Sequence, residues 1–134
     1  MKMRLLFASL CMTWTASLAV HAQSVSPLRQ SAGSFGQNFL VRVQIANTYD
    51  TAQIGEIFLY DTDWNPIAAK HLSHETIKLA PKARMQITAI VPFEGYTTRI
   101  IHICHSILPR VGGVGMAYRG EACSKVTARR LHLD

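Results

Sequence analysis

Reactive chemistry is thinly supplied in this sequence. It holds 3 cysteines, Cys11, Cys104 and Cys123, and none forms a zinc-type spacing with the histidines. There is no Gly-x-Ser-x-Gly elbow to activate a serine, and no two carboxylates fall on one expected face as an acid and base pair. No internal repeat and no heptad runs through the chain, which excludes solenoids and coiled coils. Acidic residues are few as well. Against 14 Lys and Arg stand 8 Asp and Glu, a net charge of +6 that favours solubility and acidic partners. It falls well short of a nucleic-acid footprint. Half of the 8 glycines lie between Pro109 and Gly120, and no helical pattern follows them to supply amides for a phosphate.

What is present begins with an export signal. Lys2 and Arg4 precede a mostly apolar run from Leu5 to Val20, and Val20-His21-Ala22 puts small residues where a signal peptidase needs them. The expected cleavage follows Ala22, so residues 1–22 leave as a signal peptide and carry Cys11 with them. A retained membrane helix is the rival. Thr13, Thr15 and Ser17 interrupt the run, it is short for a span, and no basic stop-transfer flank follows. Leu10 before Cys11 argues against a lipoprotein. The mature chain is then long enough for one domain and too short for two. Its compartment is periplasmic or secreted and oxidising, so Cys104 and Cys123 are expected to form a disulfide, worth about 3 kcal/mol in the chain-entropy model. A free Cys104 nucleophile beside His105 is disfavoured, because adjacent strand residues point to opposite faces.

The remaining chain reads as strands. Residues 23–37 (QSVSPLRQSAGSFGQ) show no periodicity and are expected to be a flexible N-terminal arm. Residues 38–134 are expected to be the folded domain. Phe39, Val41, Val43 and Ile45 alternate with polar residues across 38–47, and Met85, Ile87, Ala89 and Val91 do the same across 84–92. The more uniformly apolar 54–60 is expected to be central, with a turn at 61–66 and a hairpin partner at 67–71. Residues 72–78 suit a helical turn or a short edge strand, and Pro81 interrupts the ladder. Residues 98–107 and 123–133 are expected to close the sheet as an antiparallel pair around a glycine-rich loop, with a short added strand at Val114–Tyr118. Six or seven short strands at this spacing predict an all-β fold, a single antiparallel β-sandwich with one disulfide.

The segments VQIANTYDTAQIGEIFLYD, TIKLAPKARMQITAIVPF and RIIHICHSI together resemble the immunoglobulin-like β-sandwiches of bacterial envelope proteins. They are similar in particular to the first domain of periplasmic pilus chaperones, over residues 38–107. An Asn-containing loop after an early strand, and a leucine and proline leading into an alternating strand, carry the likeness. It implies an envelope compartment and an immunoglobulin-like fold. A second domain has no counterpart in this chain, and the cysteine pair is not part of the shared pattern. The chaperones' paired basic anchors for a pilin C-terminal carboxylate fall on no specific residue here.

Candidate functional residues are few. Arg99, Lys125, Arg129 and Arg130 would form a basic patch if the closing strands pair, with Tyr96 and Tyr118 nearby, and Arg and Tyr suit interfaces. Such charges also guard an edge strand against aggregation. The spacing Asp61-x-Asp63-x-Asn65 opens a calcium loop, but Pro66 stands where a glycine is needed and Leu72 where the bidentate Glu would sit, so an ordinary turn is expected. The histidines outside the signal, His71, His74, His102, His105 and His132, read as surface or half-buried. The function expected is therefore non-enzymatic: an exported protein that binds another envelope or extracellular protein, accessory to a surface-appendage or secretion assembly, with no cofactor, metal, nucleic acid or mature membrane span. Binding through an edge strand or the arm 23–37 is the expected mode. The alternative is a small secreted enzyme or a metal- or ligand-binding protein using His71, His74, Asp61 and Asp63.

Overall fold

The computed structural model describes residues 24–107 and 121–133. The expected signal peptide and its cleavage after Ala22, Cys11, and the glycine-rich loop with its expected strand at Val114–Tyr118 lie outside the described residues. Nine strands form among the described residues: β1 Val25–Ser26, β2 Arg29–Ser34, β3 Asn38–Ala46, β4 Gln53–Tyr60, β5 His71–Leu72, β6 Thr76–Leu79, β7 Arg84–Pro92, β8 Thr98–Ile107 and β9 Glu121–Arg130. Seven run four residues or more; β1 and β5 are two-residue pieces.

Two sheets pack face to face, one ordered β1-β3-β7-β5 and the other β2-β9-β8-β4-β6. The alternation in β3 and β7 is the cause of the first. Phe39 pairs with Val91, Val41 with Ala89, Val43 with Ile87 and Ile45 with Met85, so the apolar side of each strand meets the other. The second sheet answers with Ile57, Leu59, Ile77, Leu79, Ile101, Ile103, Val126 and Ala128, all buried. Each of these isoleucine, leucine and valine side chains contributes about 1.5–3 kcal/mol by leaving water. Phe39 and Phe93 meet in the core with ring centroids 4.9 Å apart.

Three expectations need correction. The stretch 23–37 is no flexible arm over its described part. Val25–Ser26 pairs with Ile45 and Gln44 in the first sheet, and Arg29–Ser34 pairs with Lys125–Arg130 in the second. A cis Ser26–Pro27 peptide lies where the chain changes sheets. Backbone hydrogen bonds decide this: Ala46 N–H donates to Ser24 O at 2.8 Å and Lys125 N–H to Leu28 O at 2.8 Å. Side-chain pattern does not, so a Ser- and Gly-rich segment still makes strand. Second, β2 runs parallel to β9, so the sandwich is not wholly antiparallel. Third, residues 67–71 return beside β4 only at the Tyr60–Pro66 bridge and at Ile67, whose N–H donates to Leu59 O at 3.0 Å. The chain then crosses to the first sheet at β5, and β6 is the edge strand beside β4.

Asn47 ties the loop after β3. Its Nδ2 donates to Thr51 O and Ala80 O at 2.9 Å each and to Leu79 O at 3.3 Å, while its Oδ1 accepts from Tyr49 N–H at 3.0 Å. A buried amide can be kept only when it is satisfied in this way.

Candidate functional site: an open strand edge and a basic row

β8 and β9 are joined as expected by a disulfide between Cys104 and Cys123, which face each other across the ladder with Cα atoms 4.0 Å apart. So close an approach marks a non-hydrogen-bonded pair, whose N–H and C=O groups point away from the partner strand. The odd-numbered residues of β9 therefore send their backbone groups away from β8. Lys125 N–H does so and reaches Leu28 O on the β2 side at 2.8 Å, and just past the strand Leu131 N–H reaches Ser34 O at 2.8 Å. β2 begins only at Arg29, opposite Lys125. Ahead of it, among the described residues, nothing pairs with the outward backbone groups of Glu121 and Cys123. Among the described residues the site is thus a short stretch of unpaired edge at the start of β9, backed by the disulfide.

The four basic residues named above do not gather into one patch. Arg99 points into the sandwich and is only 9 % exposed. Its guanidinium donates to Pro92 O and pairs with Glu94 at 3.1 Å, which pins the β7–β8 turn. Arg130 lies on the same inward-facing side of β9 as Val126 and Ala128, half-buried at the strand end. Lys125 and Arg129 do share the outer face, as the alternation requires. Their neighbour is one that sequence reasoning missed: Arg29 sits directly beside Lys125 across the β2–β9 pairing. Nothing in the pattern of residues 23–37 marks Arg29, because its place depends on a strand some ninety residues further along the chain. The outer face continues through His102, opposite Lys125, to Tyr60, opposite His102.

The 61–66 turn is held by Asp61. Its Oδ1 accepts from Asp63 N–H at 2.8 Å and Asn65 N–H at 2.9 Å, and its Oδ2 from Asn65 Nδ2 at 3.1 Å. These bonds, the Asn65 amide first, hold its pKa below the usual value of 3.8. The carboxylate is committed to the turn, as the plain-turn reading expects. His71 lies exposed on β5 in the other sheet, and His74 bonds its neighbour Ser73 at 3.1 Å. Among the described residues, His71, His74, Asp61 and Asp63 form no metal-sized cluster. Cys104, Glu121 and Cys123 do come together, but the two sulfurs are bonded to each other and offer no thiolate.

No family model and no curated sequence matches the chain. Solved structures do. The periplasmic chaperone SfaE superposes with a TM-score of 0.64 at 10% identity, over 81% of this chain and 57% of that one. A chain of the Salmonella enterica SafA pilin–SafB chaperone complex gives 0.61 at 15% identity, over 79% and 53%. The seventh PapD-like domain of human CEP192 gives 0.57 at 7% identity, with 99% of each chain covered. This chain spans about half the length of the chaperone structures it matches. Identities this low speak for architecture alone, and on that evidence the chain folds as the PapD-like, immunoglobulin-like β-sandwich of pilus-chaperone domains.

Proposed function

We propose that this is an exported, non-enzymatic protein of the bacterial envelope that binds another envelope or extracellular protein by accepting a β-strand at the open start of β9. The observation that carries the reading is that edge: Glu121 and Cys123 present outward backbone groups where β2 stops short. An unpaired edge is a template for an added strand, and main-chain hydrogen bonds supply affinity without a chemical centre. The rigid cross-strand disulfide beneath it reduces the ordering the protein must undergo on binding. The fold supports the reading, since one neighbour is a chaperone solved together with a pilin. An accessory role in building a surface appendage, in the periplasm, is consistent with that likeness and with the export signal of residues 1–22.

Proline tests it, because it removes one backbone donor and leaves the rest of the edge alone. Glu121→Pro deletes an N–H that points away from β8, so the ladder to β8 survives. Pull-down from native envelope fractions should capture the partner with the wild-type protein and lose it with Glu121→Pro, at an unchanged melting temperature. Equal capture by the two proteins would refute strand addition at this edge.

A further inference from the structure

Trp64 occupies a backbone position that is costly for a bulky residue. Its φ of 63° lies in the left-handed region, where a large side chain is an outlier worth explaining. The hydrogen bonds to Asp61 hold the turn there. The strain achieves a placement: the indole lies over the His102 ring, centroids 4.4 Å apart and planes 21° apart, yet stays 53 % exposed. It therefore rests over the outer face of the second sheet, above the row Tyr60, His102, Lys125, Arg29 that crosses β4, β8, β9 and β2.

The other end of the row has the opposite character. Arg29, Gln30, Ser31, Lys125 and Thr127 line a groove of about 360 Å³. It offers two cations and two hydroxyls, while the Gln30 carboxamide turns inward to Arg42 O at 3.1 Å and Ser124 Oγ at 3.3 Å. Among the described residues no carboxylate pairs with either cation. Strands lie about 4.8 Å apart, so the Arg29 column is roughly 10 Å from the His102 column on which the indole rests. That is about the reach of two linked sugar rings.

We propose that this row binds an acidic saccharide, one sugar ring stacking on Trp64 and a neighbouring carboxylate entering the groove between Arg29 and Lys125. The C–H face of a pyranose is weakly positive and suits the negative face of an indole. A guanidinium takes a carboxylate in a two-pronged hydrogen bond, with Lys125 adding a point charge. Sugar hydroxyls meet Ser31 and Thr127, which neither cation requires. An acidic peptide would satisfy the cations but would leave the strained, exposed indole without a use. The site uses side chains of the sheet's outer face and none of the β9 edge groups, so it stands independently of strand addition.

Calorimetric titration of the exported protein tests the assignment, using a galacturonic acid hexasaccharide, neutral maltohexaose and a hexaglutamate peptide at low salt. The acidic saccharide should bind, and each of the other two should bind about tenfold more weakly or worse. Trp64→Asn removes the ring but keeps a residue that tolerates positive φ, and should weaken the saccharide by about tenfold. The exposed double variant Arg29→Gln, Lys125→Gln should remove the salt dependence of binding. The proposal fails if the acidic saccharide does not bind in the millimolar range, if hexaglutamate binds as well as the saccharide, or if Trp64→Asn leaves affinity unchanged.

Discussion

His105 shows how one buried side chain makes the molecule sensitive to pH. It faces into the sandwich opposite Ile57, 3 % exposed, with Nδ1 at 3.2 Å from Ser24 Oγ. The space for its ring exists because residue 55 is glycine; a Cβ there would stand 2.2 Å from Nε2. Burial lowers its pKa below the ordinary 6.5. The unfolded chain therefore takes up the proton more readily than the folded one. The stability owed to the neutral ring is whole above about pH 6.5 and is lost as pH falls toward the lowered folded value. Thermal unfolding should show a midpoint that drops between pH 7.5 and pH 5, and His105→Gln should flatten that limb. A wild-type profile as flat as the variant's would remove the buried histidine from the account. Asp61 acts in a separate window: its lowered pKa means the turn's support is present above 3.8 and is lost only as pH falls below it.

Among the strands, β8 and β9 are the pair on which the proposed site depends. The disulfide closes a sequence separation of 19 residues, which constrains the unfolded chain and should stabilise the domain by about 3 kcal/mol in the chain-entropy model. The double replacement Cys104→Ala, Cys123→Ala should cost roughly 2–5 kcal/mol in chemical denaturation. The expected result is a weaker but folded domain, since the core of β3, β4, β7 and β8 remains. Loss of less than about 1 kcal/mol would show that the ladder alone holds the pair. This pairing was legible because the expected export leaves Cys104 and Cys123 as the two cysteines to be bridged, and the structure joins them. β3 and β7 were legible for another reason, their strict alternation. β2 was not: Gly33 and Ser34 carry no apolar face, and the strand exists through bonds to β9. The inward face of Arg99 was not legible, because its neighbours Thr98 and Ile100 leave the local phase ambiguous and only the pairing with Ala128 resolves it.

For the molecule as a whole, the N-terminal segment is what joins the two sheets on one side. Ser24–Ser26 lies on the first sheet and Arg29–Ser34 on the second, and the Gln30 side chain donates across to Arg42 O at 3.1 Å. Val25 is buried beneath it at the edge of the core. Val25→Ala should therefore lower unfolding stability by about 2 kcal/mol, measured by denaturant titration. A loose arm would predict no change. Hydrogen exchange offers a second check, since amides 29–34 should be protected with β9 and not with the chain ends.

The strand periodicity, the Asp61 turn and the cysteine pair all follow from local pattern. A period of two and a turn former each act over a few residues, and the two cysteines are brought together by neighbouring strands of one ladder. The course of residues 25–34, the inward face of Arg99, the meeting of Arg29 with Lys125 and the start of the β2 pairing only at Lys125 follow from register. Register is set between strands far apart in the chain, by which backbone groups find each other once the apolar faces have closed. No short stretch of residues contains that information.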